Sequence, residues 1–141
     1  MNFWNGKKVF VTGHTGFKGS WLVFWLSELG AKVTGYSLKP LNKQNLFDKL
    51  RLKKKISKNY FADIRDLNSL RKAIKLCQPN VVFHLAAQPL VLDSYKEPIK
   101  TYETNVMGTA NLLECCKKEK KLKSVLIITT DKCYKNKEIN Y

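Results

Sequence analysis

A chain of 141 residues that is 44% hydrophobic, with seven Phe, six Tyr and three Trp, carries enough apolar material for one globular core and excludes a disordered tail. Its 26 Lys+Arg against 11 Asp+Glu leave +15, but the lysines are scattered or fall in short clusters (Lys53 to Lys55, Lys117 to Lys121, Lys132/Lys135/Lys137) without interleaved aromatics, which predicts a solvated surface and no nucleic-acid partner. Lys7 and Lys8 interrupt any signal peptide, and the apolar run from Phe17 to Leu29 is too short for a bilayer, so a cytoplasmic chain with no membrane partner is expected.

Lys7 to Val11 read as a first buried strand. It empties into Gly13, Gly16 and Gly19, three glycines spaced three apart, and then into a helix from Phe17 to Leu29 that is apolar nearly all round, as a helix covered by other elements should be. Glycines at these places permit a tight strand-to-helix turn, close approach of a pyrophosphate, and packing of the helix on the sheet. The helix N-terminus then directs free N–H groups at the anion.

Gly30 stops the helix, and Ala31 to Tyr36 form a second strand, completing a βαβ unit with parallel neighbours. Ser37 to Lys55 is polar, with a short helix around Leu46 to Leu52. A third strand ends near Asn59 to Asp63. Asp66 or Asn68 caps a helix running through Leu76, with Leu67, Leu70, Ile74 and Cys77 on one face. Val81 to Leu85 suit a central parallel strand. A loop from Ala86 to Glu97 leads to a helix opened by Pro98, whose buried stripe is Tyr102, Val106, Thr109, Leu113 and Cys116. Leu122 to Thr129 read as another buried strand.

Four cysteines, Cys77, Cys115, Cys116 and Cys133, form no C-x-x-C pair, and His14 and His84 lie far apart in sequence. Core packing in a reducing compartment is expected, with no metal. The alternation of elements specifies an α/β fold, a doubly wound parallel sheet of the Rossmann type with about five strands. Ligands in such sheets sit at the carboxyl ends of the strands. The loops there are Gly13 to Gly19, Asp63-Ile64, Ala86 to Gln88 and Thr129 to Lys132.

Several of these segments carry a resemblance. Val11-Thr12-Gly13-His14-Thr15-Gly16-Phe17-Lys18-Gly19-Ser20-Trp21-Leu22, Asp63-Ile64-Arg65-Asp66, His84 to Leu90, Thr104 to Thr109 and Thr129 to Tyr134 together resemble the extended short-chain dehydrogenase/reductases that act on nucleotide sugars. Phe17 to Trp21 and Asp131 to Tyr134 are similar to the 4,6-dehydratase branch that takes CDP-glucose. The resemblance implies NAD as cofactor and a nucleotide sugar as substrate. Gly13, Thr15, Gly16, Phe17, Lys18 and Gly19 would line the pyrophosphate, and Asp63 and Ile64 the adenine. Leu85, Ala86 and Ala87 would lie on the ribose and nicotinamide side, and Asn105 would shape the active-site helix. In such enzymes C4 of the sugar is oxidised by hydride transfer to NAD, water leaves across C5 and C6, and the hydride returns to C6. Thr130 would bond the C4 oxygen, Asp131 would protonate the leaving hydroxyl, and Lys132 is the candidate for moving the C5 proton, which requires a depressed pKa.

Two features depart from the pattern. The second strand ends in Tyr36-Ser37-Leu38-Lys39 without the acid that usually binds the ribose 2′-hydroxyl, and Lys39 suits a 2′-phosphate, which leaves NADP open beside NAD. The Tyr-x-x-x-Lys pair of the superfamily is nowhere in the chain. These 141 residues are therefore expected to be one Rossmann-type domain, the N-terminal part of a longer enzyme whose substrate domain lies elsewhere. It would be inactive alone and is a candidate homo-oligomer at full length. A nucleotide-sugar epimerase or reductase, and a non-catalytic dinucleotide-binding module, are the alternative readings.

Overall fold

In β1 (Lys8–Thr12) the side chains alternate between two buried faces, Val9 and Val11 on one and Phe10 on the other, as a central strand covered on both sides must. The computed structural model describes residues 2–40, 42 and 44–130. The remaining elements, in chain order, are α1 (Phe17–Glu28), β2 (Lys32–Ser37), α2 (Leu46–Lys49), α3 (Leu52–Lys55), β3 (Lys58–Phe61), α4 (Leu67–Cys77), β4 (Val81–His84), α5 (Val91–Lys96), α6 (Pro98–Tyr102), a π-helical segment (Glu103–Met107), α7 (Gly108–Cys116) and β5 (Ser124–Ile127). All strand pairings are parallel, in the order β3-β2-β1-β4-β5.

Each sheet face has its own core. On one, Phe10, Tyr36 and Val82 pack with Leu70 and Ile74 of α4 and with Leu112, Cys115 and Cys116 of α7. On the other, Val9, Val11 and Val33 pack with Val23 and Leu26 of α1, Phe47 of α2 and Leu52 of α3. Burial of each large side chain stabilises the fold by roughly 1.5–3 kcal/mol. Of the two expected caps, Asp66 and Asn68, it is Asp66 that caps α4, accepting from the N–H groups of Asn68 and Ser69 at 3.1 and 3.0 Å. Cys77, Cys115 and Cys116 are free and buried, and burial raises all three thiol pKa values, Cys116 to about 11.

Five expectations need correction. The α1 helix is not covered all round: Phe17, Trp21 and Trp25 are 73%, 48% and 66% exposed, because only the Gly19, Ser20, Val23 and Leu26 side meets the sheet. The short helix after β2 is two helices, broken at Arg51 in the left-handed region with φ of 51°. The loop after β4 contains α5. β5 is an edge strand rather than a buried one, with Leu126 and Ile128 48% and 42% exposed among the described residues.

The fifth correction concerns the helix opened by Pro98. Tyr102, Val106 and Leu113 face outward, while Gly108, Leu112, Cys115 and Cys116 are buried. Thr109, which bonds His84, and Cys116 turn inward as expected, and the other inner places go to Thr101 and Asn105, which bond Gln88. Hydrogen-bond demand of a neighbouring loop has set the helix phase where apolar spacing pointed one residue further on. Leu112→Ala is expected to cost about 2–5 kcal/mol in urea unfolding, and Leu113→Ala less than about 1 kcal/mol; equal costs would contradict this phase.

Candidate functional site

The strand order reverses between β1 and β4, and there the loops at the strand carboxyl ends part into a cleft of about 800 Å³. Its walls come from Gly13 and Thr15 to Gly19 after β1, Ser37 to Pro40 after β2, Ala62 to Arg65 after β3, Leu85 to Ala87 after β4, and Ile128 and Thr129 after β5. The four loops expected to converge at this edge do so as far as Thr129.

Backbone packing builds the floor. Gly13 has φ of +69°, and a Cβ there would lie 2.6–2.7 Å from the Leu85 and Ala86 backbone, so neither conformation nor space admits another residue. A Cβ at Gly19 would collide with the Gly13 carbonyl. Gly16, the N-cap of α1, has ordinary extended angles and makes no side-chain cap, and the first turn holds no acidic residue. The leading N–H groups of α1 thus border the cleft with the partial positive charge of a helix start.

Side chains fix the loop from beneath. The Thr15 hydroxyl donates to the Leu38 carbonyl at 3.0 Å and therefore accepts from Ser37 at 2.8 Å. His14 is fully buried, its Nε2 2.6 Å from Asn59 Oδ1, in space open only because Gly35 lacks a Cβ. Burial lowers the His14 pKa, keeping the ring neutral. Ser37, Asn59 and His14 were not singled out by the sequence, although a polar residue inside a glycine loop is itself a signal that it has a buried partner.

At the β3 end, Tyr36 donates to the Asp63 carbonyl at 3.0 Å. The Asp63 carboxylate accepts from the Arg65 N–H at 2.9 Å and from its guanidinium at 2.8–3.1 Å. Arg65 also reaches Glu103 at 2.7 Å. The guanidinium beside it holds the Asp63 carboxyl below its ordinary pKa, and the same pairing raises that of Arg65. Asp63 is thus an oriented anion at the cleft wall, and Asp66 does the helix capping. Ile64 lies beside it, its carbonyl bonded by Asn111 at 3.3 Å, and packs against Gly108.

Of the other expected site residues, Leu85, Ala86 and Ala87 line the cleft. Asn105 works one step behind: its Oδ1 accepts from the Gln88 N–H at 2.8 Å and its Nδ2 donates to the Gln88 carbonyl at 3.0 Å. It sits in the π-helical segment, a widened turn that often marks functional positions. Thr130 is exposed and follows the cleft-lining Thr129. Asp131 and Lys132 lie outside the described residues, as does Cys133. The cations on the cleft wall include Lys18, Lys39 and Lys100. Among the described residues no cluster of His, Cys, Asp or Glu is arranged to hold a metal, and no helix is long and apolar enough to cross a membrane.

Known proteins share this arrangement. The chain is 55% identical over 137 residues to CDP-glucose 4,6-dehydratase of Salmonella typhimurium, a match covering 97% of this chain and 38% of that protein. The chain thus spans little more than a third of that relative. In structure it is similar to a UDP-glucose 4-epimerase of Stenotrophomonas maltophila, with a TM-score of 0.80 at 22% identity over 94% of this chain and 40% of the other, which supports the fold. A Thermus thermophilus UDP-glucose 4-epimerase solved in complex with NAD aligns with a TM-score of 0.64 at 31% identity, over 77% of this chain and 33% of that one. The five-stranded parallel sheet with its glycine floor is therefore a Rossmann-type fold shared with nucleotide-sugar enzymes. With residues 10–139 matching the family model described as GDP-mannose 4,6 dehydratase, the chain belongs to that family.

Proposed function

We propose that this chain is the dinucleotide-binding part of an NAD-dependent nucleotide-sugar 4,6-dehydratase, a cytoplasmic lyase whose substrate is CDP-glucose. The observation that carries the reading is the floor of the cleft. Gly13 and Gly19 leave backbone with no Cβ beneath an uncapped helix start, which is the shape and polarity a pyrophosphate requires. The 55% identity to a CDP-glucose enzyme supports the choice of sugar nucleotide, and the NAD-bound epimerase supports the cofactor.

The residues present fit that cofactor. Gly13, Thr15, Gly16, Phe17, Lys18 and Gly19 would hold the pyrophosphate. The Asp63 carboxylate, aligned by Arg65, would accept from the adenine amino group beside Ile64. Leu85, Ala86 and Ala87, small or apolar at the cleft wall, would allow the nicotinamide half to lie close, with Asn105 holding the loop behind them. When bound, NAD supplies a hydride acceptor that is regenerated within each turnover. Thr130 would bond the sugar C4 oxygen, Asp131 would act as the acid toward the C6 hydroxyl, and Lys132 would move the C5 proton. An epimerase needs no such acid at C6, and this favours dehydration. The whole enzyme would work as a homo-oligomer.

Cofactor choice turns on the end of β2. Ser37 already donates to Thr15, and no acid stands there to bond a ribose 2′-hydroxyl, while Lys39 lines the cleft. NAD is the proposed resident, with NADP tolerated through Lys39.

Isothermal titration should show NAD binding to the chain, and Gly13→Ala should abolish it, since the added Cβ meets the Leu85 backbone. Failure of NAD to bind the folded protein contradicts the reading. Lys39→Ala should weaken NADP about three- to tenfold with little change for NAD, in line with loss of one exposed charge contact. For the chemistry, mass spectrometry of CDP-glucose incubated with NAD and the whole enzyme should show loss of one water. A C4 epimer of unchanged mass would instead support an epimerase.

A further inference from the structure

Beneath the Leu85 to Ala87 wall lies a buried chain of polar groups whose hydrogen positions are all determined. The Thr109 hydroxyl is 2.7 Å from the Asn105 carbonyl, an acceptor only, so it donates there. Its oxygen must then accept from His84 Nε2, 2.9 Å away, which places a proton on Nε2. On the other side of the ring, Thr12 Oγ1 accepts the N–H groups of Leu85 and Ala86, both at 3.2 Å. Its own proton therefore goes to His84 Nδ1 at 2.6 Å. Only the Leu85 N–H is shared, between the Thr12 hydroxyl and the Thr12 carbonyl; each side-chain proton has a single acceptor, and the imidazole is neutral in one tautomer.

The ring is 2% exposed, and its polar partners come from β1 (Thr12) and α7 (Thr109), with Asn105 one bond further in the π-helical segment. The titratable side chains in the core on this face are Tyr36, Cys77, Cys115 and Cys116, with Tyr60 packed against them, and burial raises the pKa of the first four. Burial pushes His84 itself down to about 4.

We propose that His84 is a positioning residue: in its fixed Nε2–H form it ties the ends of β1 and β4 to the π-helical segment, and so holds the cleft wall from Leu85 to Gln88 in the shape that receives the nicotinamide half of a dinucleotide. The inference rests on the dinucleotide reading above. It goes further in assigning the wall's shape to one buried tautomer. The adenine and pyrophosphate half of the cleft, built on Gly13 to Gly19, Asp63 and Ile64, shares no side-chain bond with His84.

Binding of NAD and of ADP to the protein, measured side by side, separates the two halves. Thr109→Val, which removes the acceptor of the His84 proton at nearly constant size, should weaken NAD about tenfold or more and leave ADP within about twofold. Thr109→Ser should restore NAD binding. His84→Phe should behave as Thr109→Val does; should it fail to fold, the Thr109 pair decides. Nitrogen NMR of the wild-type ring should show a protonated Nε2 and a bare Nδ1, unchanged from pH 8 to pH 6. The inference is overturned if Thr109→Val binds NAD normally, if NAD and ADP weaken together, or if Nδ1 carries the proton. Wild-type protein that binds neither ligand, with the ring in the assigned tautomer, contradicts the dinucleotide reading instead.

Discussion

One close approach of backbone to backbone governs the rest. Gly13 leaves β1 in the left-handed region and passes against the backbone of Leu85 and Ala86, while Gly19 brings α1 down on the Gly13 carbonyl. The Gly13 turn and the start of α1 just after it thus meet the distant Leu85 segment with no side chain between them. Because β1 and β4 are neighbours only where the sheet order reverses, this contact and the cleft above it are the same structural event. The rise of α1 away from the contact sets which of its faces meets the sheet, and so which face, with Trp21 and Trp25, remains exposed.

Around that contact the loops are fastened by buried and half-buried polar pairs as well as by ring packing of His14 on Phe47 and Phe61. Thr15 with Ser37, Tyr36 with the Asp63 carbonyl, and Thr12 with His84 join neighbouring strands, and His14 with Asn59 reaches from β1 past β2 to β3. A buried polar group without a partner costs about 1–3 kcal/mol, so these pairs specify the loop conformations as well as stabilising them. The cleft is therefore largely shaped before any ligand arrives, which lessens the ordering cost of binding.

How much of this is legible in the sequence follows from the range of the interactions. The glycine loop, the capping Asp66 and the five parallel strands are written locally, through backbone angles, a single side-chain cap and apolar runs, and they appear where the sequence places them to within a residue or two. The phase of the run from α6 through the π-helical segment to α7 is not local. Of the expected stripe, Thr109 and Cys116 turn inward while Tyr102, Val106 and Leu113 face out, and Thr101 and Asn105 take the inner places because Gln88 needs partners there. The same holds for β5, whose apolar run says that it is a strand but not that it stands at the sheet edge among the described residues. In the site, the cleft-lining residues are legible through their resemblance to a known family, whereas the connectors His14, Asn59, Ser37 and Thr12 act through partners tens of residues away.

The central claim is that the switch-point cleft, and no other surface of this basic chain, receives the dinucleotide. Amide chemical-shift mapping during an NAD titration tests it most directly. The account predicts shifts concentrated at Gly13 to Lys18, Asp63-Ile64 and Leu85 to Gln88, with Lys53 to Lys55 and Lys117 to Lys121 unmoved. Shifts centred on those lysine clusters, or none at the glycine loop at saturating NAD, would contradict it.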